Sequence, residues 1–275
     1  MLHSNTANFN NALHGNYRMP IKTIFLEAWY RVKGMKVSYW LGFLYFVLVM
    51  ALICLVLGLV LALYDVYVLP LATAYHAVFF YNAKLMLKFV VVGTVEVFRF
   101  LFTASLAYMA LQHLQSKPIH AKMVFSFQHA LRPLLFIGLL LYLLNSFILS
   151  STNILLHSGI IQQQVAFLGP ILTRAFLFII FGICFFIYFY LSVLVFMTVL
   201  LILDQKIAIK QSLRLAFQSI NQHIFKNTAL IVFTTILFGL LVLMTLGIGL
   251  IWLLPMTSLV TAIQYNQIFC GGHLV

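Results

Sequence analysis

Long apolar runs dominate this chain, and three short segments interrupt them in which basic residues alternate with aliphatic and aromatic ones. Residues 39–64, 177–203 and 229–246 each approach or exceed the roughly 20 apolar residues that carry a helix across a hydrocarbon core of about 30 Å. None of these runs alternates with a period of two, so membrane helices are expected rather than a membrane barrel. Six spans are predicted, at 38–64, 86–111, 133–156, 173–203, 228–247 and 250–269. The fold class expected is therefore all-α, an integral membrane bundle of about six helices.

The interrupting segments, 18–36, 117–132 and 206–226, hold 12 of the 16 Lys and Arg residues. Each also has an apolar face at helical spacing. Ile21, Ile24, Phe25, Ala28, Trp29 and Val32 share a face in the first, and Ile209, Leu213, Ala216, Phe217 and Ile220 in the third. Met123, Phe127, Ala130, Leu131 and Leu134 do so in the middle one. Such faces predict three amphipathic helices on the cytoplasmic side, apolar side sunk about 5–10 Å and basic side toward headgroups. Two origins are open for the agreement in spacing. One is a threefold repeat over 20–111, 119–203 and 205–269; the other is convergence, because any interfacial helix needs such a face.

Composition supports the membrane reading. With 64% hydrophobic and 7% charged residues and a mean hydropathy of +1.09, the chain has too little polar surface to cover a soluble globule. The formal charge of +12 would suit a nucleic-acid partner, but retention of Lys and Arg on the cytoplasmic side explains it without one. Anionic lipid headgroups on that side are the partners expected, and a membrane-protein partner or homo-oligomer is compatible with the pattern. Residues 1–19, rich in Asn, His, Ser and Thr, read as a disordered cytoplasmic tail and not as a secretory signal, leaving 20–275 as one polytopic domain. The outward segment 65–85 is expected to pack as an irregular lid or to re-enter the membrane, and 157–172 to form a polar connection.

Chemistry is sparse. Glu96 and Arg99 lie three residues apart inside the second span and so share a helical face. Intramembrane charges of this kind either fix helix register as an ion pair or line a solute path. Arg174, near the outer start of the fourth span, is expected to snorkel, and Asn145 to hydrogen-bond across helices. Asn266 and Gln267 are expected to meet water or headgroups. Gly247 and Gly249 predict a tight hairpin, and Pro255 a kink whose freed carbonyl needs a donor from a neighbour. Cys54, Cys184 and Cys270 are too far apart for a disulfide framework, and His113, His120 and His129 lack metal-ligand spacing. No phosphate loop, dinucleotide fingerprint or nucleophile elbow occurs, and four acidic residues give no catalytic pair, so neither cofactor, metal nor enzymatic activity is expected.

Two stretches carry a resemblance. Ile21-Lys22-Thr23-Ile24-Phe25-Leu26-Glu27-Ala28-Trp29 with Lys33-Gly34, and Gly247-Ile248-Gly249-Leu250-Ile251-Trp252-Leu253-Leu254-Pro255 with Tyr265 and Ile268-Phe269, are similar to the opening and ending of uncharacterised bacterial polytopic membrane proteins. The groups resembled are the YciC-like inner-membrane proteins and the membrane domain of some glycerophosphodiester phosphodiesterases. The resemblance implies a multi-pass inner-membrane domain of unassigned role and supplies no catalytic residue. The expected function is a non-enzymatic protein organising lipid or partner proteins. A transporter or channel using Glu96 and Arg99 is the alternative, and a lipid-acting intramembrane enzyme a third.

Overall fold

A computed structural model describes residues 9, 11–17, 20–68, 70, 77–157 and 169–270. Among them every regular element is helical. The order is α1 (Ile21–Leu63), a π-helical turn (Tyr64–Val68), α2 (Ala77–Leu114), a 3-10 segment (Ala121–Ala130), α3 (Leu131–His157), α4 (Gly169–Gln205), α5 (Ile209–Asn221), α6 (Ile224–Met244) and α7 (Leu250–Phe269).

Four of the helical stretches are long and apolar enough to cross a membrane: Ile21–Val68, Ala121–Ile148, Phe178–Gln205 and Ile224–Met244. The other two predicted spans fall in α2, which carries Lys84, Lys88, Glu96 and Arg99, and in α7, whose second half is polar. Both occupy the middle of the bundle. Twelve of the 20 residues of α7 are buried, and α2 contributes an almost unbroken buried run from Phe100 to Leu111. The outer half of α1 behaves oppositely. Its buried positions end at Gly42, and Leu52, Leu55 and Leu59 beyond it are exposed.

The three basic segments take three different local structures. The first is not a separate interfacial helix: it runs straight into the first span as one helix of 43 residues. Its buried stripe, Ile24, Ala28, Val32, Met35, Tyr39 and Gly42, crosses the expected boundary without a phase change, so nothing stops the helix there. Gly34 does not break it, and His113 lies against it, 3.1 Å from where a Cβ would stand. The middle segment is 3-10 rather than α. Pro133 has no N–H for the carbonyl four residues back, and the Phe127 N–H is taken by Ser105 Oγ at 3.2 Å. Only the third, α5, is a separate α-helix.

One position nevertheless recurs. Ala28, Ala130 and Ala216 stand at equivalent places in the three apolar faces, and the residue four after each is buried, as Val32, Leu134 and Ile220. Leu213 and Phe217 of α5 point outward while Ser212, Ala216, Ser219 and Ile220 point in, so its apolar face is divided between bundle and surroundings.

All three segments gather at one end of the bundle. Arg31 Nη1 donates to Leu114 O at 3.3 Å, Ser38 Oγ to Ile119 O at 3.3 Å, and Gln115 Nε2 to Asp204 Oδ1 at 3.4 Å. At the opposite end Lys84 pairs with Asp65 at 2.8 Å and Tyr64 OH donates to Phe80 O at 2.9 Å. The segment 65–85 is thus largely helical, with 69 and 71–76 outside the described residues. Of the connection expected at 157–172, His157 closes α3, 158–168 lie outside the described residues, and Gly169 and Pro170 open α4.

The expected disordered tail is a correction where it is described. Ala12 is buried, Phe9 meets Phe269 edge-on, and Tyr17 OH donates to Ser219 O at 2.8 Å. Gln222 Nε2 donates to Leu13 O at 2.9 Å and His223 bonds Gly15 O at 3.0 Å. Through the Tyr17 hydroxyl and the carbonyls of Leu13 and Gly15, this stretch is held against α5, α6 and the turn between them. Residues 1–8, 10, 18 and 19 lie outside the described residues.

Candidate functional site

The candidate site lies between α2, α3 and α4, where a cavity of about 680 Å³ opens. Two glycines set how closely α2 and α3 approach beside it. The ring of Tyr142 sits 2.7 Å from where a Cβ on Gly93 would stand, and Phe100 sits 2.9 Å from the same point on Gly138. Helices that touch through glycine on both sides close one edge of the groove tightly, and the space remains toward α4.

Glu96 and Arg99 both line this cavity. Arg99 Nε donates to Glu96 Oε2 at 2.8 Å and Nη2 donates to the same oxygen, so helical spacing does bring the two together. Their side chains are 38% and 55% exposed, so the pair is not sealed among helices; it faces the open space. Thr103 Oγ1 donates back to Arg99 O, as hydroxyls in apolar helices commonly do.

Asn145 of α3 also lines the cavity and makes no hydrogen bond among the described residues, in place of the cross-helix bond expected of it. Tyr142 OH is committed to Phe89 O at 2.8 Å and Ser192 Oγ to Tyr188 O at 2.9 Å. Phe181, Phe185 and Phe189 supply an aromatic wall from α4. Sequence reasoning missed Ser146, Tyr188 and Ser192. The available signal was polar residues recurring on one face of otherwise apolar helices, with Tyr188 and Ser192 one turn apart. The side chain of Arg174 lies outside the described residues.

A second polar cluster closes the end that carries the basic segments. Asp204 Oδ2 accepts from Tyr265 OH at 3.0 Å and from Gln205 Nε2 at 2.7 Å, while Lys117 Nζ donates to Gln115 Oε1 at 2.6 Å. Burial, with Asp204 nearby, pushes the neighbouring Cys270 thiol up to about 12, against a smaller opposing pull from Lys117. Next to it Asn227 Nδ2 donates to Tyr17 OH at 3.0 Å and to Ile220 O at 3.1 Å. Burial raises the Tyr17 hydroxyl above its usual range, and the Asn227 hydrogen bond partly opposes this. Gln267 is buried in this layer, with its Nε2 unpartnered, and does not face water as expected.

The hairpin residues divide their roles. Gly247 has φ +87°, which its position in the turn requires, but the left-handed cap before it is Leu246 at φ 50°. Gly249 has an ordinary backbone and is required for space, since a Cβ there would lie 2.5 Å from Thr245 Oγ1. Pro255 sits inside α7, and the carbonyl it leaves without a donor, Ile251 O, accepts from Trp40 Nε1 at 3.0 Å.

Among the described residues no three His, Cys, Asp or Glu side chains gather as metal ligands. No protein-family model, curated protein or solved structure matches the chain.

Proposed function

We propose that this chain is a multi-pass bacterial inner-membrane protein that holds lipid and has no catalytic role. The observation that carries the reading is the cavity between α2, α3 and α4: a largely apolar recess with one ion pair exposed within it. Such a lining suits an amphiphile, with chains against the phenylalanines and a polar group at Glu96 and Arg99. α2 and α7 join the four qualifying helices as spans in this reading, because most of α2 from Phe100 to Leu111 and twelve residues of α7 are buried within the bundle.

The basic end of the bundle is the cytoplasmic one in this reading, following the bias of Lys and Arg near span ends. Leu213 and Phe217 of α5, exposed beside Lys210 and Arg214, then insert among anionic headgroups as an interfacial helix does. The resemblance to YciC-like proteins agrees with this placement.

A second reading, a transporter, draws on the same exposed pair, since intramembrane charges that face open space mark solute paths. Native mass spectrometry of the protein in mild detergent separates the two. Lipid-holding predicts a bound amphiphile that a cavity-filling Ser192→Phe variant releases. Transport predicts solute or ion flux in proteoliposomes that Glu96→Gln abolishes, without a resident amphiphile.

A further inference from the structure

We infer that the cavity receives the head group of a zwitterionic, ammonium-bearing phospholipid, with its phosphate at Arg99 and its ammonium at Glu96. The inference rests on the lipid-holding reading and specifies which lipid.

The hydrogen bonds of the pair carry the assignment. Both guanidinium contacts, from Nε and Nη2, go to one carboxylate oxygen, Oε2. That leaves Glu96 Oε1 and Arg99 Nη1 without partners among the described residues, on side chains that both line the cavity. The pair therefore presents one acceptor and one donor of opposite charge side by side. A purely anionic head group would gain at Nη1 and be repelled at Oε1; a zwitterion satisfies both with charge-assisted bonds.

Depth strengthens the demand. Glu96 lies eight residues beyond Lys88, about 12 Å along the helix axis, and Gln112 lies thirteen beyond Arg99, about 20 Å. Exposed charges in that apolar stretch are costly unless something polar meets them. Asn145, unpartnered on the facing helix, adds a donor and an acceptor for phosphate or ester oxygens. Phe185 and Phe189 offer an apolar wall for the upper acyl chain. The volume, about 680 Å³, is within the range of roughly 300–1,000 Å³ typical of ligand sites, enough for a head group and the start of its chains.

The test offers the full chain in detergent an equimolar mixture of phosphatidylethanolamine, phosphatidylglycerol and diacylglycerol, and reads the bound lipid by native mass spectrometry. Phosphatidylethanolamine should be retained about tenfold over each of the others, the scale of one charge-assisted contact. In Glu96→Gln the preference for phosphatidylethanolamine over phosphatidylglycerol should collapse to near unity. In Arg99→Gln both phospholipids should fall relative to diacylglycerol. Equal retention of the three lipids by the unaltered protein overturns the inference while leaving the lipid-holding reading intact, and requires no variant to fold. An unchanged preference in a monodisperse Glu96→Gln protein also overturns it. Absence of any bound amphiphile overturns both.

Discussion

The indole N–H of Trp40 on α1 donates to the backbone carbonyl of Ile251 on α7, at 3.0 Å. That carbonyl is the one Pro255 strips of its helical partner, so a side chain from a neighbouring helix completes a broken ladder. Tyr39 reinforces the same contact, accepting or donating with Ser258 at 2.9 Å, and Lys36 stacks over the Trp252 ring at 4.6 Å. Replacing Trp40 by Phe keeps an aromatic ring, smaller than the indole, and removes the donor. Its expected cost is about 1–2 kcal/mol, read as a lower midpoint of thermal unfolding in detergent. Pro255→Ala in the Trp40→Phe background restores an N–H at 255 and should recover part of that loss. An additive double mutant would show that the two residues do not share this carbonyl.

Gly93 and Gly138 should tolerate no larger residue. At Gly93 a Cβ would enter the ring of Tyr142, whose hydroxyl is anchored to Phe89 O and cannot swing aside without losing that bond. Gly93→Ala is expected to destabilise by about 1–3 kcal/mol and to widen the α2–α3 approach beside the cavity. Gly182→Ala, at a position open to its surroundings, is the control and should be near neutral or slightly stabilising.

Leu246 sits at φ 50°, a left-handed conformation that glycine adopts more cheaply, and its side chain is 92% exposed. Leu246→Gly should therefore stabilise the α6–α7 hairpin by up to about 1 kcal/mol. Hydrogen exchange at the turn amides, slower in the variant, would report it; faster exchange would mean that leucine contributes through contact with its surroundings.

The Cys270 thiol, pushed up to about 12 from an ordinary 9.0, holds its proton in the folded protein across the range where a free thiol ionises. Its raised value means that it favours the folded state fully below about pH 9, and that this contribution fades as pH rises from there toward 12. Maleimide should label Cys270 slowly at pH 8 in the folded chain and rapidly after denaturation. Asp204→Asn should speed the folded-state reaction, because the carboxylate that opposes thiolate formation is gone. Unchanged labelling would place the protection in burial alone.

Orientation has a direct assay. A periplasm-dependent reporter fused at His157 should be active and one at Gln218 inactive, since they lie at opposite ends of their neighbouring helices. The reverse pattern would invert the proposed topology.

The apolar runs alone located the six long helices to within a few residues at most ends, because hydrophobic length and periodicity are properties of the chain itself. They also marked Glu96 and Arg99 as a pair, since three residues of helix bring them together in any fold. Position-specific environment was not legible. Ile24 and Val32 look no different from Leu52, yet the first two are buried against other helices and the last is exposed. In a chain this apolar, lipid-facing and core-facing residues share one composition, so hydrophobicity cannot say which side meets protein. The polar stretch 11–17 misled for the opposite reason: its partners, Ser219, Gln222, His223 and Asn227, lie about two hundred residues away.

The sequence by itself determined that the chain is helical, that several helices suit a membrane, and that two opposite charges share one face of α2. Only tertiary structure decided that this face opens on a cavity, that the first basic segment and first span are one helix, and that α7 lies at the centre. Periodicity acts within a single helix; which faces meet depends on close approaches such as Tyr142 over Gly93, made between residues distant in the chain.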